Sequence, residues 1–404
     1  MNSKGLGWAE LAILGAVPFV MVLGNSMLIP VFPKFEQVLH INQVKVGLLV
    51  TAFSLPAGLL IPFSGMLSDR IGRKIVIAPA LILYGLGGLV AGVASVTMGK
   101  PFPMILAGRV LQGLGAGGTY QLAMALTADL SPGSKLTRHL GFLEAANGFG
   151  KVISPILGAL VAMVSWFAPF FVYGVLAFPV AALVWFGLNE PNPGGKGKSW
   201  GEYFKTLGDI VKKKGISLLA AFLVGFIALG VLFGFLSYLS DVLEQKFNLA
   251  GVKKGLALAV PVSAMALTSY GTGVFLEKRQ HLLKPTLILG MAIAALSLGV
   301  VPLCIGARYI FPITVVGAGI GIGMVLPPLN TMITAATSQD ERGVVTSLYG
   351  TVRFFGVAVG PPVFGAIGFE RVSLFYGVGA VAIVTAILGY LLINSRQLTQ
   401  QPSN

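Results

Sequence analysis

Four ionisable side chains stand inside stretches of sequence that are otherwise apolar, namely Arg109, Glu144, Lys151 and Arg353. A charge at membrane depth costs at least ~2.5 kcal/mol unless it faces water or a partner. Side chains of these types can bind an anion, carry a proton or form a buried ion pair. Their cost predicts that they converge on one wet pathway inside a helical bundle.

Three polar residues on one predicted helix share a face. Glu144, Asn147 and Lys151 are spaced i, i+3, i+7, which brings an acid, an amide and a base into one line. Glu144 is the acid that lies clearly inside a predicted span, so it is our candidate for the proton carrier. A permanent Glu144–Lys151 ion pair with a structural role is the alternative.

Further polar residues at membrane depth are candidates for lining a substrate cavity. With Lys151 they form the predicted cavity set Asn25, Gln112, Gln121, Asn147, Asn330 and Arg353. Hydrogen bonding between helices explains amides at such positions equally well. The sequence therefore leaves open which of them would touch a substrate.

Composition indicates the elements that must hold these residues. Of the 404 residues, 55% are hydrophobic and 10% are charged, and the mean hydropathy is +0.86. A soluble domain carries roughly a quarter of charged residues. Apolar stretches long enough to cross ~30 Å of hydrocarbon recur about twelve times. We predict an all-α polytopic membrane protein with about 12 transmembrane helices in two pseudo-symmetric six-helix bundles.

The charge distribution predicts the orientation. The net charge of +14 could point to nucleic acid, but Lys and Arg are about twice as frequent in loops on the side of the amino terminus. Such a bias is typical of cytoplasmic loops, so we expect both termini in the cytoplasm and no nucleic-acid partner. The single cysteine, Cys304, excludes an intramolecular disulfide, and three widely spaced histidines argue against a metal site.

Similar segments recur at a nearly constant offset. Phe102-Pro103 recurs as Phe311-Pro312, Gly65 with Asp69-Arg70 as Gly273 with Glu277-Lys278, and Gly150 with Ser154-Pro155 as Gly356 with Gly360-Pro361. A duplicated six-span unit explains these offsets. We predict bundles at residues 1–188 and 216–404, the second with a short cytoplasmic tail, joined by a linker at 189–215.

The linker contains apolar residues at helical spacing, with lysines on the other side. They are Trp200, Tyr203, Phe204, Leu207, Ile210 and Val211. This pattern favours a short helix on the inner leaflet, and an unstructured solvated linker is the alternative.

Four segments carry motifs in a characteristic order. They are Leu23–Pro33, Gly65–Lys74, Ile105–Gly117 with Arg109 and Gln112, and Gly141–Ala159 with Gly150, Ser154, Pro155 and Gly158. Together they resemble the major facilitator superfamily, and specifically its twelve-span drug:proton antiporter branch. The resemblance implies a transporter, not an enzyme, and implies a role in proton transfer for Arg109. A static hydrogen-bond anchor is the alternative role for Arg109.

The loop motif implies a conformational latch by resemblance. Its members are Gly65, Asp69, Arg70, Gly72, Arg73 and Asp129. Gly72 permits a tight turn, Asp69 can use a neighbouring helix dipole, and Arg73 can reach Asp129. In the family this cluster stabilises the outward-open state. A structural turn with solvated basic residues is the alternative.

The motif of the fifth span is associated in the family with antiport. Its predicted members are Gly141, Gly150, Ser154, Pro155 and Gly158. Ser154 and Ala159 replace glycines of the family pattern, but both are small, so close packing survives. A purely structural kink at Pro155 is the alternative.

The combined prediction is a proton-coupled antiporter that exports small, drug-like organic molecules by alternating access. A dedicated exporter of an anionic or zwitterionic metabolite such as a siderophore is the alternative, because Arg109, Lys151 and Arg353 outweigh Glu144. Gly197-Lys198-Ser199 mimics part of a phosphate loop, but the segment is too short for a nucleotide domain. We expect the protein to be a monomer and to need no cofactor, with the proton gradient as its driving force. We expect it in the plasma membrane, which is the inner membrane of a bacterium.

Overall fold

The computed structural model describes residues 6–131, 135–190, 200–307, 309–336, 342–367 and 372–399. This part of the chain is helical and contains no strand. Its α-helices are α1 (Trp8–Ser26), α2 (Phe32–Leu39), α3 (Gln43–Ile71), α4 (Arg73–Thr97), α5 (Phe102–Ala116), α6 (Tyr120–Leu130), α7 (Leu136–Ala162), α8 (Ala168–Gly187), α9 (Trp200–Gln245), α10 (Gly251–Leu276), α11 (Leu283–Cys304), α12 (Ile310–Ala335), α13 (Arg342–Ile367), α14 (Val372–Leu392) and α15 (Ser395–Thr399). Short 3₁₀ turns lie at Ile29–Val31 and Gln280–Leu282.

The helices provide twelve membrane-crossing segments. Ten described stretches are long and apolar enough to cross a bilayer, the first of them running from Trp8 through α2 to Leu39. Helices α5 and α6 together form an eleventh, and α14 forms the twelfth. The predicted all-α, twelve-span fold is confirmed.

Two crossing segments are broken, where the sequence predicted single helices. The first segment passes through a 3₁₀ turn between α1 and α2, and the fourth is interrupted at Gly117–Thr119 between α5 and α6. A Cβ atom on Gly117 would lie 2.7 Å from the carbonyl oxygen of Ala57 in α3. The break occurs where the glycine-rich chain lies directly against the α3 backbone.

The predicted interfacial helix is not a separate element. Helix begins at Trp200 and continues without interruption to Gln245, through the predicted boundary at Gly215. A single glycine inside a helix costs only about 1 kcal/mol relative to alanine, so Gly215 does not end it. The side chains of the predicted apolar stripe lie outside the described residues.

The division of the chain into two bundles, at 1–188 and 216–404, and a linker at 189–215 remains a prediction.

In both halves, glycines allow two neighbouring helices to pack with their backbones in contact. A Cβ atom on Gly87 of α4 would lie 2.6 Å from the Gly108 carbonyl oxygen of α5. In the second half a Cβ atom on Gly290 of α11 would lie 2.7 Å from the Gly321 carbonyl oxygen of α12. Small residues let membrane helices approach to backbone contact. Equivalent helix pairs thus pack alike in the two halves.

The halves meet most closely at one end of the bundle. We call the end where α1 begins the amino-terminal end, and the end that carries α2 the opposite end. At the opposite end Ser240 donates a hydrogen bond of 2.8 Å to the carbonyl oxygen of Ile29. A Cβ atom on Gly255 of α10 would lie 2.6 Å from the carbonyl oxygen of Pro155 in α7.

Helices α7 and α10 are in a different environment nearer the amino-terminal end. A Cβ atom on Gly148 of α7 or on Gly271 of α10 would meet no heavy atom within 4 Å. On α10, Tyr270 is 77% exposed. The seam between these two helices is therefore sealed at the opposite end and loosens towards the amino-terminal end.

Candidate functional site

A cavity lies between the two halves, and the centre of a water molecule can occupy about 80 Å³ of it. Most of its wall is apolar and comes from α1, α3, α9, α10, α12 and α13. Its polar wall consists of Asn25, Tyr120, Gln121, Asn147, Lys151 and Arg353. The structure thus brings five of the predicted cavity residues together with Tyr120, which the sequence reasoning missed.

Two basic side chains face this cavity from different halves. Lys151 comes from α7 and Arg353 from α13, and both are only partly exposed. The Arg353 guanidinium lies over the ring of Tyr349, 5.3 Å from its centroid. None of the residues that line the cavity is acidic. The wall can therefore attract an anionic group between the halves.

Glu144 lies beside the cavity and not in its wall. Its carboxylate accepts a hydrogen bond from the hydroxyl of Tyr120, which does line the cavity. The ion pairs of the described residues do not include Glu144 with Lys151 within 4.0 Å. The alternative of a fixed Glu144–Lys151 bridge is therefore absent from this conformation, and Tyr120 connects the acid to the cavity.

Arg109 is buried in the wall behind the cavity, contrary to the expectation that it faces the pathway. Its Nε donates to the carbonyl oxygen of Leu49 at 2.9 Å, and Nη1 donates to the carbonyl oxygen of Gly24 at 2.8 Å. Nη1 also donates to Oε1 of Gln112 at 2.6 Å, and Nη2 donates to Oδ1 of Asn25. None of these acceptors is charged, so carbonyl dipoles of α1 and α3 hold the guanidinium.

Two predicted cavity residues lie elsewhere. Gln112 is fully buried and turned towards Arg109, because one helical turn separates the two side chains. Asn330 is not among the residues that line the cavity, to which α12 contributes Leu326 one turn earlier. Asn25 connects the two regions, since it lines the cavity and also binds both Arg109 and Ser54.

The latch residues meet at the amino-terminal end. Gly72 has φ 104° and links α3 to α4, as the turn prediction required. Arg73 forms ion pairs with Asp69 at 3.0 Å and with Asp129 at 2.5 Å. A Cβ atom on Gly65 would lie 3.6 Å from Ser347 Oγ of α13, so α3 faces the second half here. Arg70 neighbours this group at the end of α3.

The carboxylate at the start of α4 belongs to Glu190 and not to Asp69. Its two oxygens accept hydrogen bonds from the backbone N–H groups of Arg73 at 2.8 Å and Lys74 at 3.0 Å. A carboxylate at a helix amino terminus is favoured by the dipole and by the free N–H groups. The sequence reasoning missed Glu190. Its position just after a predicted span was the signal in the sequence that could have indicated this role.

The motif on α7 lies against α1 at the opposite end. A Cβ atom on Gly150 would lie 2.5 Å from Val22, and one on Gly158 would lie 2.1 Å from the carbonyl oxygen of Met27. Ser154 donates to the carbonyl oxygen of Gly150 at 2.5 Å, just before Pro155. A Cβ atom on Gly141 would meet nothing within 4 Å, so this glycine lies outside the close contact.

Two helical halves that meet at one end and enclose a central cavity with both apolar and polar walls are the architecture of a membrane transporter. A family profile described as Major Facilitator Superfamily matches residues 14–361 and 282–403. The chain is 41% identical to the bacillibactin exporter of Bacillus subtilis over 88% of each protein. It is 27% identical to the class C tetracycline resistance protein of Escherichia coli, over 91% of this chain and 92% of that protein.

A solved structure shares the fold. It is the inward-facing, occupied form of a bacterial homologue of the human lysosomal transporter Spinster, with a TM-score of 0.74 and 16% identity over 97% of this chain and 98% of that one. The chain belongs to the major facilitator superfamily. It is therefore a multi-pass membrane transporter of small molecules and not an enzyme, as the motifs predicted.

Proposed function

We propose that this transporter exports a small organic anion or zwitterion, and that protons moving in the opposite direction drive the export. The observation that carries this proposal is the pairing of Lys151 and Arg353 across a cavity whose lining contains no acid. A charge-assisted hydrogen bond to a basic side chain contributes ~1.5–3 kcal/mol, so two such contacts distinguish an anion from a cation.

The similarity to the bacillibactin exporter supports a metabolite as the substrate. That relative covers most of the chain at 41% identity, whereas the tetracycline resistance protein is at 27%. The metabolite hypothesis, an alternative at the level of sequence, therefore becomes the main proposal. Bacillibactin itself is the first compound to test.

Export of drug-like compounds is the second candidate. The apolar part of the cavity wall, which includes Phe53, Phe233 and Phe354, favours it because such surfaces bind varied lipophilic molecules. The similarity to the tetracycline resistance protein supports the same reading. One cavity can serve both classes if the compound carries an anionic group.

Glu144 is the proposed proton carrier. Its carboxylate accepts a hydrogen bond from Tyr120, which lines the cavity, and no ion pair among the described residues includes it within 4.0 Å. After the substrate has left, protonation of Glu144 would remove its attraction for Lys151 and so permit the return to the inward-open state. Arg109 acts in this scheme as the anchor that holds α1, α3 and α5 around Asn25.

The membrane orientation belongs to the same proposal. The Lys and Arg bias supports cytoplasmic termini, so the amino-terminal end faces the cytoplasm and the opposite end faces outwards. The structure then corresponds to a state closed towards the outside. We propose a monomer in the bacterial plasma membrane that needs no cofactor other than the proton gradient.

Transport into proteoliposomes under an imposed pH gradient tests the function. Bacillibactin, tetracycline and the cation ethidium are compared at equal concentration, with and without a protonophore. We expect gradient-dependent accumulation of bacillibactin and little movement of ethidium. Concentrative transport of ethidium at a similar rate, with none of bacillibactin, would overturn the proposed substrate class.

Glu144→Gln tests the proton carrier. This variant should lose accumulation driven by the pH gradient while it retains exchange of labelled for unlabelled substrate. Glu277→Gln, which changes an exposed carboxyl at the end of α10, is the matched control. If Glu144→Gln still concentrates substrate against its gradient, Glu144 does not carry the proton.

A further inference from the structure

Ionisable side chains also lie where α2 contacts α9 at the opposite end. The transport mechanism proposed above assigns no role to them. Helix α2 packs on the last turns of α9, close to the hydrogen bond from Ser240 to Ile29. Phe32 and Phe35 of α2 and Val242 of α9 are buried side chains. Water has little access to side chains enclosed here.

One basic residue at this contact is already neutralised. Lys254 of α10 is only 4% exposed, and its Nζ forms an ion pair of 2.5 Å with Oε2 of Glu244 in α9. A buried ammonium that is paired in this way compensates one carboxylate. Other acids in the same region must be stabilised by another means.

Two further carboxyl groups, one from each half, lie in this region. Asp241 of α9 is 4% exposed and its Oδ1 has no hydrogen-bond partner, and Oε1 of Glu36 in α2 is also buried without one. The charge of Asp241 is opposed by those of Glu36 and Glu244 and is attracted by Lys254. Burying two like charges without hydrogen bonds is strongly unfavourable, whereas one shared proton removes the repulsion and supplies a donor.

A metal ion is a poorer occupant than a proton. In the described part of the chain, no group of three acidic, histidine or cysteine side chains is arranged so that it could hold a metal. A proton needs no such convergence, since it binds to a single carboxylate oxygen.

We infer that the Glu36–Asp241 pair is a proton-binding site, and that the opposite end closes when the pair takes up one proton. When this end opens, water hydrates both carboxylates and the proton leaves. The inference rests on the proposed function for alternation between two states and for the orientation in the membrane. It adds a second proton site, distinct from Glu144, on the side from which an inward proton gradient supplies protons.

Distance measurements between spin labels test the site without substrate or transport. The labels are placed at Gln37→Cys in α2 and Gln245→Cys in α9, both exposed positions, with Cys304 replaced by Ser. In the otherwise unchanged protein, the short distance of the closed form should dominate at low pH. A longer distance should gain population as the pH rises and the pair loses its proton.

Neutral substitutions identify the groups responsible. The double variant Glu36→Gln/Asp241→Asn keeps the size of both side chains and mimics the protonated state, so the short distance should persist across the pH range. Lys254→Gln leaves Glu244 uncompensated, so opening should begin at lower pH. Glu277→Gln is the control at the other end of the bundle and should retain the original pH profile.

Specific outcomes would overturn the inference. They are a distance in the unchanged protein that does not vary with pH, or a double variant that opens with pH as the unchanged protein does. Neither outcome concerns the substrate or Glu144, because no transport is measured. Conversely, a failed transport assay would leave this pH-dependent closure intact, so the two proposals fail separately.

Discussion

Arg109 shows how a positive charge is held in the interior of a membrane protein without an acid. Its guanidinium spreads donors over carbonyl oxygens of two helices and over two amide side chains, and it lies 4.6 Å from the centroid of the Phe53 ring. Such a fork of donors has a fixed geometry that a lysine cannot reproduce. The residue therefore organises the wall of the cavity.

Replacing Arg109 should lower the stability of the folded protein. Arg109→Lys leaves at least one buried carbonyl oxygen unsatisfied, at ~1–3 kcal/mol for each group. We expect a lower thermal midpoint in detergent and a loss of transport. Arg138→Lys, an exposed position above Trp8, is the control and should leave the midpoint unchanged. An unchanged midpoint for Arg109→Lys would contradict the anchoring role.

The two basic residues of the cavity should determine selectivity. Lys151→Gln and Arg353→Gln each remove one charge-assisted contact, and ~1.4 kcal/mol corresponds to a tenfold change in affinity. The KM for an anionic substrate should therefore rise at least about tenfold. The KM for a neutral substrate should stay nearly constant. Equal losses for both substrates would indicate a structural role only.

At the level of elements, contact between backbones determines which glycines of α7 are replaceable. Gly158 faces the carbonyl oxygen of Met27, whereas Gly141 and Gly148 have open space beside them. Membership of the antiporter motif does not follow this division, since Gly141 is a motif residue. Close packing of α7 on α1, and not the motif as a whole, should therefore control the response to substitution.

Alanine substitutions test this division. Gly158→Ala would place its Cβ 2.1 Å from a backbone oxygen, and such overpacking typically costs ~1–3 kcal/mol. Gly148→Ala and Gly141→Ala should be neutral or stabilising by ~0.5–1 kcal/mol, because alanine favours the helix. Thermal midpoints of the three variants provide the comparison. Equal destabilisation of all three would exclude the α1 contact as the cause.

At the level of the whole molecule, the sealed opposite end defines one state of an alternating cycle. The seal combines the hydrogen bond between Ser240 and Ile29 with the contact between Gly255 and Pro155. These contacts join the two halves, so they must separate when the cavity opens to that side. Transport requires that they form and break once in each cycle.

A disulfide across the seal should stop the cycle. Ile29→Cys/Ser240→Cys, with Cys304 replaced by Ser, should cross-link readily in the closed form. Transport should fall to background after oxidation and return after reduction. The two single-cysteine variants control for effects of oxidant. Full transport by a protein that is completely cross-linked would show that this contact does not open.

The sequence by itself determined the membrane class, the number of crossing segments and the family. Each of these depends on local properties, since a segment in lipid must be apolar and must satisfy its own backbone hydrogen bonds. The turn at Gly72 likewise depends on a short stretch of chain, since a glycine is needed there for its positive φ. These features are readable without knowing how any helix is rotated.

Only the tertiary structure decided which polar side chains meet. Rotation of each helix about its axis and the break at Gly117–Thr119 turn Arg109 into the wall and bring Tyr120 to Glu144. Packing of α2 on α9 brings Glu36 and Asp241 into one cluster of charges, although they come from different halves of the chain. Such positions depend on the packing of whole helices against one another, and no local pattern of residues encodes them.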